Sequence, residues 1–259
     1  MINYLYQTTD LNLFLILSLF LIIVSIIALL FIKWFMPLHL RYQENDVIGC
    51  TSALIVVIYG VLAGFATQYL INNNTFATDS IQREANAVAN IYRDSQELSD
   101  ASREHVQAVL KQYLVEVLNI EWPLMNRGKT VTPQGDLIIQ HLIKELSLYK
   151  ESTAFGQLIL ADMLTLSRNL YDARQQRIQA SYTSLSSTIW VVVLIGTILT
   201  LCVSYLFGVN FYLHLFIVFS AALMMASIIF LLISLDKPFQ GAYVVGPDSL
   251  QFVLSLLSE

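Results

Sequence analysis

The sequence is poor in charged residues and in cysteine. Of its 259 residues only 13% are charged, against about 25% in a typical soluble domain, whereas 56% are apolar. The net charge of −5 provides no basic surface for nucleic acid, so no nucleic-acid partner is expected. The cysteines, Cys50 and Cys202, both lie in apolar runs, which excludes a disulfide scaffold and a cysteine zinc site. This composition indicates an integral membrane protein.

The motifs of common enzymes are also missing. The sequence contains no P-loop, no dinucleotide-binding fingerprint, no nucleophile elbow and no His-Glu-x-x-His motif. His141 and Glu145 are four residues apart and could face the same side of a helix as metal ligands, but two ligands without a third do not define a site. We interpret them as a surface pair, and we expect no metal, no cofactor and no enzymatic activity.

Four long apolar runs are the main feature of the sequence. They cover 11–32, 48–71, 189–207 and 211–235. A hydrocarbon core about 30 Å thick requires about 20 helical residues, and each run has about that length. The backbone of a span must be helical, because in lipid its polar groups can pair only with one another. The first run is longer than a signal-peptide core and should be retained as an anchor. The sequence therefore predicts an all-α membrane protein with four transmembrane helices.

The region between the second and third runs is polar. Residues 72–187 contain 11 Lys and Arg and 13 Asp and Glu, and their apolar residues recur at helical spacing, which indicates a bundle outside the bilayer. The predicted organisation is 1–71 for the N-terminal segment and first two spans, 72–187 for the helical domain, 188–235 for the last two spans, and 236–259 for a tail. The tail is apolar enough that we expect it to pack on the helical domain, on a neighbouring subunit or on the membrane interface.

The distribution of basic residues predicts the orientation. Lys33 and Arg41 lie between the first two spans. The other side carries five basic residues near the ends of spans, namely Arg83, Arg168, Arg174, Arg177 and Lys237. This excess favours a cytoplasmic helical domain with both termini inside.

The second run contains two patterns that remain open to two interpretations. Gly60 and Gly64 are small residues that allow membrane helices to approach closely, which predicts helix packing. Val57, Val61 and Phe65 recur every four residues and share one face of a helix. Repeated around a symmetric ring, this stripe would form an apolar constriction of a pore.

Glu84 is the charged residue that most needs a partner. It lies between Ile81 and Val88 at helical spacing, on or beside a buried face. A buried carboxylate is costly unless it is paired, so we expect an ion pair with Arg174 or Arg177. A pore-facing or ion-contacting role is the alternative.

Three short stretches together resemble a known family. They are Glu84-Ala85-Asn86 with Tyr92 downstream, Glu121-Trp122-Pro123 before a glycine-containing loop, and Asp236, Pro238, Phe239 and Gly241 just after the last span. These residues resemble the bacterial bestrophin-like membrane proteins, and the resemblance extends from about residue 45 to the C-terminus. The Asp-x-Pro-Phe-x-Gly stretch is its most specific part.

The resemblance implies an architecture and a function. Bestrophins are pentameric anion channels with four spans per subunit and cytosolic helices between the second and third. Their apolar neck ends at a Gly-Phe pair on the second span, which corresponds here to Gly64 and Phe65 and implies a neck of Val57, Val61 and Phe65. The acidic cluster that binds calcium in animal bestrophins is reduced to Asp236 and Asp248, so calcium gating is not implied.

Two functions follow as hypotheses. The first is a homo-oligomeric ion channel of a bacterial inner membrane, with pentamers favoured, which contacts the lipid bilayer and conducts small inorganic ions. The resemblance implies that these ions are anions. The second is a non-conducting scaffold or signalling protein whose helical domain binds partners. A transporter is disfavoured, because the sequence shows no inverted repeat and no charge deep in a span.

Overall fold

The computed structural model describes residues 10–35, 44–149, 153–241 and 244–258, and all regular elements in these ranges are helices. In chain order they are α1 (Asp10–Phe35), α2 (Asn45–Ser95), α3 (Asp100–Glu116), a π-helix (Val117–Glu121), α4 (Trp122–Asn126), α5 (Gln134–Leu148), α6 (Ala154–Tyr182), α7 (Ser187–Tyr205), α8 (Phe211–Leu235) and α9 (Asp248–Leu256).

Four helical segments are long and apolar enough to cross a membrane, which confirms the predicted all-α class with four spans. They lie in α1, in α2, in the segment Ala154–Tyr205 that contains α7, and in α8. The helix that contains the second span is longer than the apolar run, since α2 continues to Ser95 as one helix of 51 residues. No glycine or proline occurs between residues 65 and 95, so no residue interrupts the backbone hydrogen bonds there.

The chain divides into two compact units. The first, called here the membrane unit, comprises Met1–Asn72 and Ser184–Asp236; the second, called the helical unit, comprises Asn73–Thr183 and Lys237–Glu259. Helix α2 contributes residues to both. The tail from Lys237 onwards therefore belongs to the helical unit.

The membrane unit is packed through small and aromatic residues. The Tyr59 ring of α2 lies against Gly196 of α7, where a Cβ atom would approach the ring carbon Cδ2 to 2.3 Å. A glycine allows this close approach of the two helices. The Tyr59 hydroxyl forms a hydrogen bond of 3.1 Å with the Thr197 hydroxyl. The buried core around this contact consists of Leu29, Tyr59, Ala63, Leu201, Tyr205, Val218, Ala222 and Met225.

Side chains at the ends of the spans satisfy backbone groups. The Asn45 amide nitrogen donates to the Gly208 carbonyl (3.1 Å), and the Gly208 N–H donates to the Asn45 side-chain oxygen (2.8 Å). This pair fixes the short connection between α7 and α8. At the other end, the Leu185 N–H donates to the Asp236 carboxylate at 2.6 Å. Backbone groups at helix ends that would otherwise lack partners are thereby bonded.

The helical unit has its own apolar core. Helix α3 begins at Asp100, directly after its N-cap residue Ser99, and its Val106, Leu110 and Tyr113 point inward at helical spacing. The same core includes residues of the second half of α2, of α5, of α6 and of the tail. From the tail, Phe239, Leu250 and Val253 are buried in it, and the apolar composition of the tail is thus explained.

Candidate functional site

The face of α2 that points away from its own chain carries the predicted apolar stripe. The exposed fractions of Val57, Val61 and Phe65 are 64%, 54% and 71%. At 3.6 residues per turn, these three residues lie within about 80° of one another around the helix axis. Tyr59 and Ala63, in contrast, are buried on the opposite face. The stripe is therefore available to another molecule, to lipid or to water.

The two glycines beside the stripe face open space within the described part of the chain. A Cβ atom added to Gly60 or Gly64 would meet no described atom within 4 Å, whereas one added to Gly196 would meet the Tyr59 ring. Close helix packing within the described chain therefore occurs at Gly196 and not at the predicted glycines. A packing role for Gly60 and Gly64 stays a prediction that concerns contact with another copy.

Two amide side chains continue the stripe. Gln68 and Asn72 are exposed, lie on the same face as Val57 and Val61, and are joined by a hydrogen bond of 2.9 Å. An amide side chain that faces hydrocarbon loses its hydrogen bonds to water, which is unfavourable. This face therefore changes from apolar to polar along a single helix.

Within the helical unit, Glu84 is paired as its position suggested. The Arg177 Nε atom donates to Glu84 Oε2 at 2.6 Å, and Arg177 Nη2 donates to Oε1 at 3.1 Å. The Tyr113 hydroxyl donates to the same Oε1 at 2.5 Å. All three side chains are fully buried. Of the two expected partners of Glu84, Arg177 is the one in contact.

Arg174 pairs with a carboxylate that the sequence analysis did not assign to this cluster. Arg174 Nη2 donates to Glu121 Oε1 at 2.5 Å, while Arg177 Nη2 donates to Glu121 Oε2 at 2.7 Å. Glu121 thus bridges the two arginines, and Asp136 forms a further ion pair with Arg174. We call these six side chains, Glu84, Tyr113, Glu121, Asp136, Arg174 and Arg177, the buried ion network.

The π-helix shifts the inward face after Val117. Glu121, four residues after Val117, lies near the buried face of an α-helix as well, whereas the next buried position is Met125 and not residue 124. Ile120 is 45% exposed and Glu121 is fully buried. Pro123 has no N–H and its ring crowds the carbonyl four residues earlier, and the wider turn before it relieves this conflict. Pro123 was the sequence signal for this shift.

The network shifts the pKa values of Tyr113 and Arg177. Burial raises the pKa of Tyr113 well above its usual value, and the charge of Glu84 raises it further. Burial by itself would lower the pKa of Arg177. The electrostatic interactions with Glu84, Tyr113 and Glu121 and the hydrogen bond to Glu84 act in the opposite direction and together outweigh burial, so the pKa is raised. Arg177 therefore remains charged and Tyr113 remains neutral.

The network leaves little room around it. A Cβ atom at Gly135, in the first turn of α5, would lie 2.6 Å from Arg174 Nε and even closer to Glu121 Oε1. Two guanidinium groups face three carboxylates contributed by α2, the π-helix and α5. A cluster of this kind holds helices in fixed positions and has no exposed reactive group, apart from the partly accessible Asp136.

The motif after the last span is adjacent to this network. Phe239 contacts Trp122 edge to face, with ring centroids 5.5 Å apart, and the Trp122 ring lies 5.8 Å from Cζ of Arg177. Three stretches that are distant in sequence, around Glu84, Trp122 and Phe239, therefore meet in one core.

The remaining motif residues shape the chain around Phe239. The Pro238 carbonyl accepts a hydrogen bond of 2.8 Å from the Val245 N–H. Gly241 has a φ of +95°, a conformation that favours glycine. Asp236 lies in the membrane unit, where it accepts the Leu185 N–H.

One group of side chains in the described ranges has the composition of a metal site. His141 and Glu145 lie on one face of α5, as predicted, and His105 of α3 joins them; the potential ligand atoms of all three lie within 4.8 Å of one another. The sequence analysis missed His105 because it is distant in sequence from the pair.

Comparison with known proteins identifies the fold. The family model described as bestrophin-like domain matches residues 19–250. A variant of a bacterial bestrophin homologue from Klebsiella pneumoniae is similar in structure, with a TM-score of 0.72 and 14% identity over 95% of this chain and 99% of the other. A second structure of that homologue gives a TM-score of 0.71 and 14% identity over 94% and 96% of the two chains. No curated protein matches this sequence. The chain belongs to the bestrophin-like family.

Proposed function

We propose that this chain is the subunit of a homo-oligomeric ion channel of a bacterial inner membrane, in which α2 lines the pore. Val57, Val61 and Phe65 form its apolar neck. The family membership supports a channel, and the resemblance to bestrophins favours a pentamer and anions as the conducted ions.

The observation that carries this proposal is the outward face of α2. A face that contacted only lipid would be expected to remain apolar to the end of the span, whereas this one carries the exposed amide of Gln68 within the predicted span 48–71 and that of Asn72 directly after it. Amides in this position favour a water-filled path, or another protein surface, over hydrocarbon. Val57, Val61 and Phe65, which precede these amides along α2, then form an apolar constriction that controls the hydration of the path.

The glycines support assembly through the same helix. Because no described atom of the chain fills the space at Gly60 and Gly64, a second copy can approach the backbone of α2 closely. A single chain contributes one such helix, and a central pore requires several copies around a closed symmetric ring. The site is therefore incomplete without its partners.

The orientation follows from the basic residues counted in the sequence, which favour a cytoplasmic helical unit and two cytoplasmic termini. In this orientation the helical unit lies on the cytoplasmic side of the conducting path.

The test combines subunit counting with flux. Native mass spectrometry of the detergent-purified full chain should show a single ring-forming species of four or more copies. In liposomes loaded with chloride, Phe65→Ala and Val61→Ala should increase chloride efflux severalfold, because both widen the apolar neck.

Leu62→Ala is the matched control. Leu62 is an apolar residue of the same helix with 45% exposure, but it is about 100° from Val61 around the axis. It should leave efflux unchanged. A monomer or dimer in several mild detergents would contradict the channel and favour the scaffold hypothesis. Unchanged efflux in both neck variants would contradict the assignment of the neck.

A further inference from the structure

We propose that His105, His141 and Glu145 form a binding site on the helical unit for a divalent transition-metal ion of the zinc type. The proposal concerns a separate group of side chains from the pore stripe and does not depend on ion conduction.

The three side chains have the right ligand chemistry. Zinc binds imidazole nitrogen and carboxylate oxygen, and a set of two histidines and one glutamate provides three ligands and leaves a fourth position for water. Magnesium and calcium prefer sites composed of oxygen ligands, so two imidazoles favour a transition metal.

The potential ligand atoms lie within 4.8 Å of one another, which is near enough for the side chains to rearrange around one ion. Ligand atoms about 2.0–2.1 Å from zinc lie about 3.4 Å from one another in a tetrahedron. His141 Nε2 is already 3.4 Å from Glu145 Oε1, and His105 Nε2 is 2.6 Å from Oε2 of the same carboxylate. The two imidazole rings have centroids 6.4 Å apart. Small rotations of exposed side chains are sufficient to bring all three ligands around one ion.

The backbone beneath the cluster is held in place. His141 and Glu145 are one helical turn apart on α5, and Leu142 and Leu146, beside them, are buried in the core. On α3, Val106 next to His105 is fully buried in the same core. The helices thus present the ligands from fixed positions, while the side chains of His105 and His141 remain 49% and 57% exposed and accessible to an ion.

A bound ion would connect α3 to α5. Without metal, the contact between these side chains consists of histidine–carboxylate pairs at the surface, which contribute little to stability. An ion that binds the folded state in preference to the unfolded state raises the melting temperature, and the rise grows with the logarithm of the ion concentration once the site is saturated. The site therefore predicts zinc-dependent stabilisation.

The experiment titrates Zn²⁺ into the detergent-purified full chain, without a histidine tag, by isothermal titration calorimetry at neutral pH. We expect one zinc ion per chain at the tightest site. His105→Ala and His141→Ala should each weaken that binding by more than the roughly 10–100-fold typical of changes outside the ligand set. The rise in melting temperature caused by zinc should disappear in both variants.

Glu104→Gln is the matched control, because Glu104 is the exposed neighbour of His105 on α3 but is not a member of the cluster. It should bind zinc as the unmodified chain does. Circular dichroism without metal checks that each variant is folded. Equal zinc affinity in the unmodified chain and His105→Ala, or no binding to the unmodified chain, would overturn the proposal; neither result would bear on conduction or on the subunit count.

Discussion

The membrane unit and the helical unit satisfy their buried polar side chains in different ways. In the membrane unit, hydroxyl groups bond to the carbonyl one turn earlier in their own helix, as Thr67 does with Ala63, Thr197 with Val193 and Thr200 with Gly196. In the helical unit, charged groups bond across large sequence separations, as Arg177 does with Glu84 and Glu121.

The difference determines what happens when a partner is removed. A hydroxyl that bonds to its own helix keeps that bond when a neighbouring helix changes. A buried carboxylate whose partners lie on other helices becomes an unpaired charge when one of them is lost, and such a loss is strongly destabilising. The hydroxyl groups of the membrane unit are therefore insensitive to the loss of a contact with a neighbouring helix, whereas the charged groups of the helical unit are sensitive to it.

The largest effect should follow from Arg177→Met. Methionine has a similar length but no charge, so Glu84 and Glu121 would lose a shared buried partner. Breaking a buried ion pair in this way costs about 3–5 kcal/mol. Thermal unfolding of the purified chain in detergent, followed by tryptophan fluorescence, should show a clearly lower melting temperature.

Arg168→Met on the same helix provides the control. Arg168 is exposed and is nine residues before Arg177 in α6, so its replacement should change the melting temperature little. If the two substitutions lowered the melting temperature equally, the buried ion network would contribute no more to stability than a surface charge. This result would contradict the difference between the two units.

An intermediate effect is expected from glycine substitutions within the membrane unit. Gly196→Ala places a Cβ atom 2.3 Å from the Tyr59 ring, and overpacking of this kind costs about 1–3 kcal/mol. Gly64→Ala adds a Cβ atom where the chain has no described atom within 4 Å. We expect Gly196→Ala to lower the melting temperature and Gly64→Ala to leave the unfolding of an isolated subunit unaffected.

Gly64→Leu extends this comparison to assembly. If α2 contacts another copy at Gly64, the larger side chain should reduce the subunit count seen by native mass spectrometry. A normal count for Gly64→Leu would argue against close contact at that position, and an unaltered melting temperature for Gly196→Ala would argue against close packing at Tyr59.

The sequence was sufficient for the features that depend on local pattern. Runs of about 20 apolar residues predict membrane helices because lipid imposes both the length and the composition of a span. The helical spacing of Ile81, Glu84 and Val88 placed the carboxylate at a buried face because one helical period relates the three. The polar residues 72–74 mark the end of the apolar run but not of the helix, so hydropathy alone does not give the full length of α2.

The features that were missed depend on contacts between distant segments. Glu121 joins the buried ion network through Arg174 and Arg177, which are 53 and 56 residues away in sequence. His105 reaches Glu145 across 40 residues of sequence, a pairing that no local period encodes. In both cases the sequence shows the residue type but not which side chains lie beside it in the folded protein.

The smallest effect should follow from Tyr59→Phe. The substitution removes the hydrogen bond of 3.1 Å between Tyr59 and Thr197 but keeps the ring that packs against Gly196. Because Thr197 also donates to the Val193 carbonyl at 2.9 Å, its hydroxyl remains bonded. Hydrogen bonds between membrane helices average about 0.6 kcal/mol, so the melting temperature should fall only slightly. Tyr59→Ala, which also removes the ring, separates packing from hydrogen bonding. If Tyr59→Phe lowered the melting temperature as much as Arg177→Met, the membrane unit would also depend on hydrogen bonds between helices that are distant in sequence. The difference between the two units would then not hold.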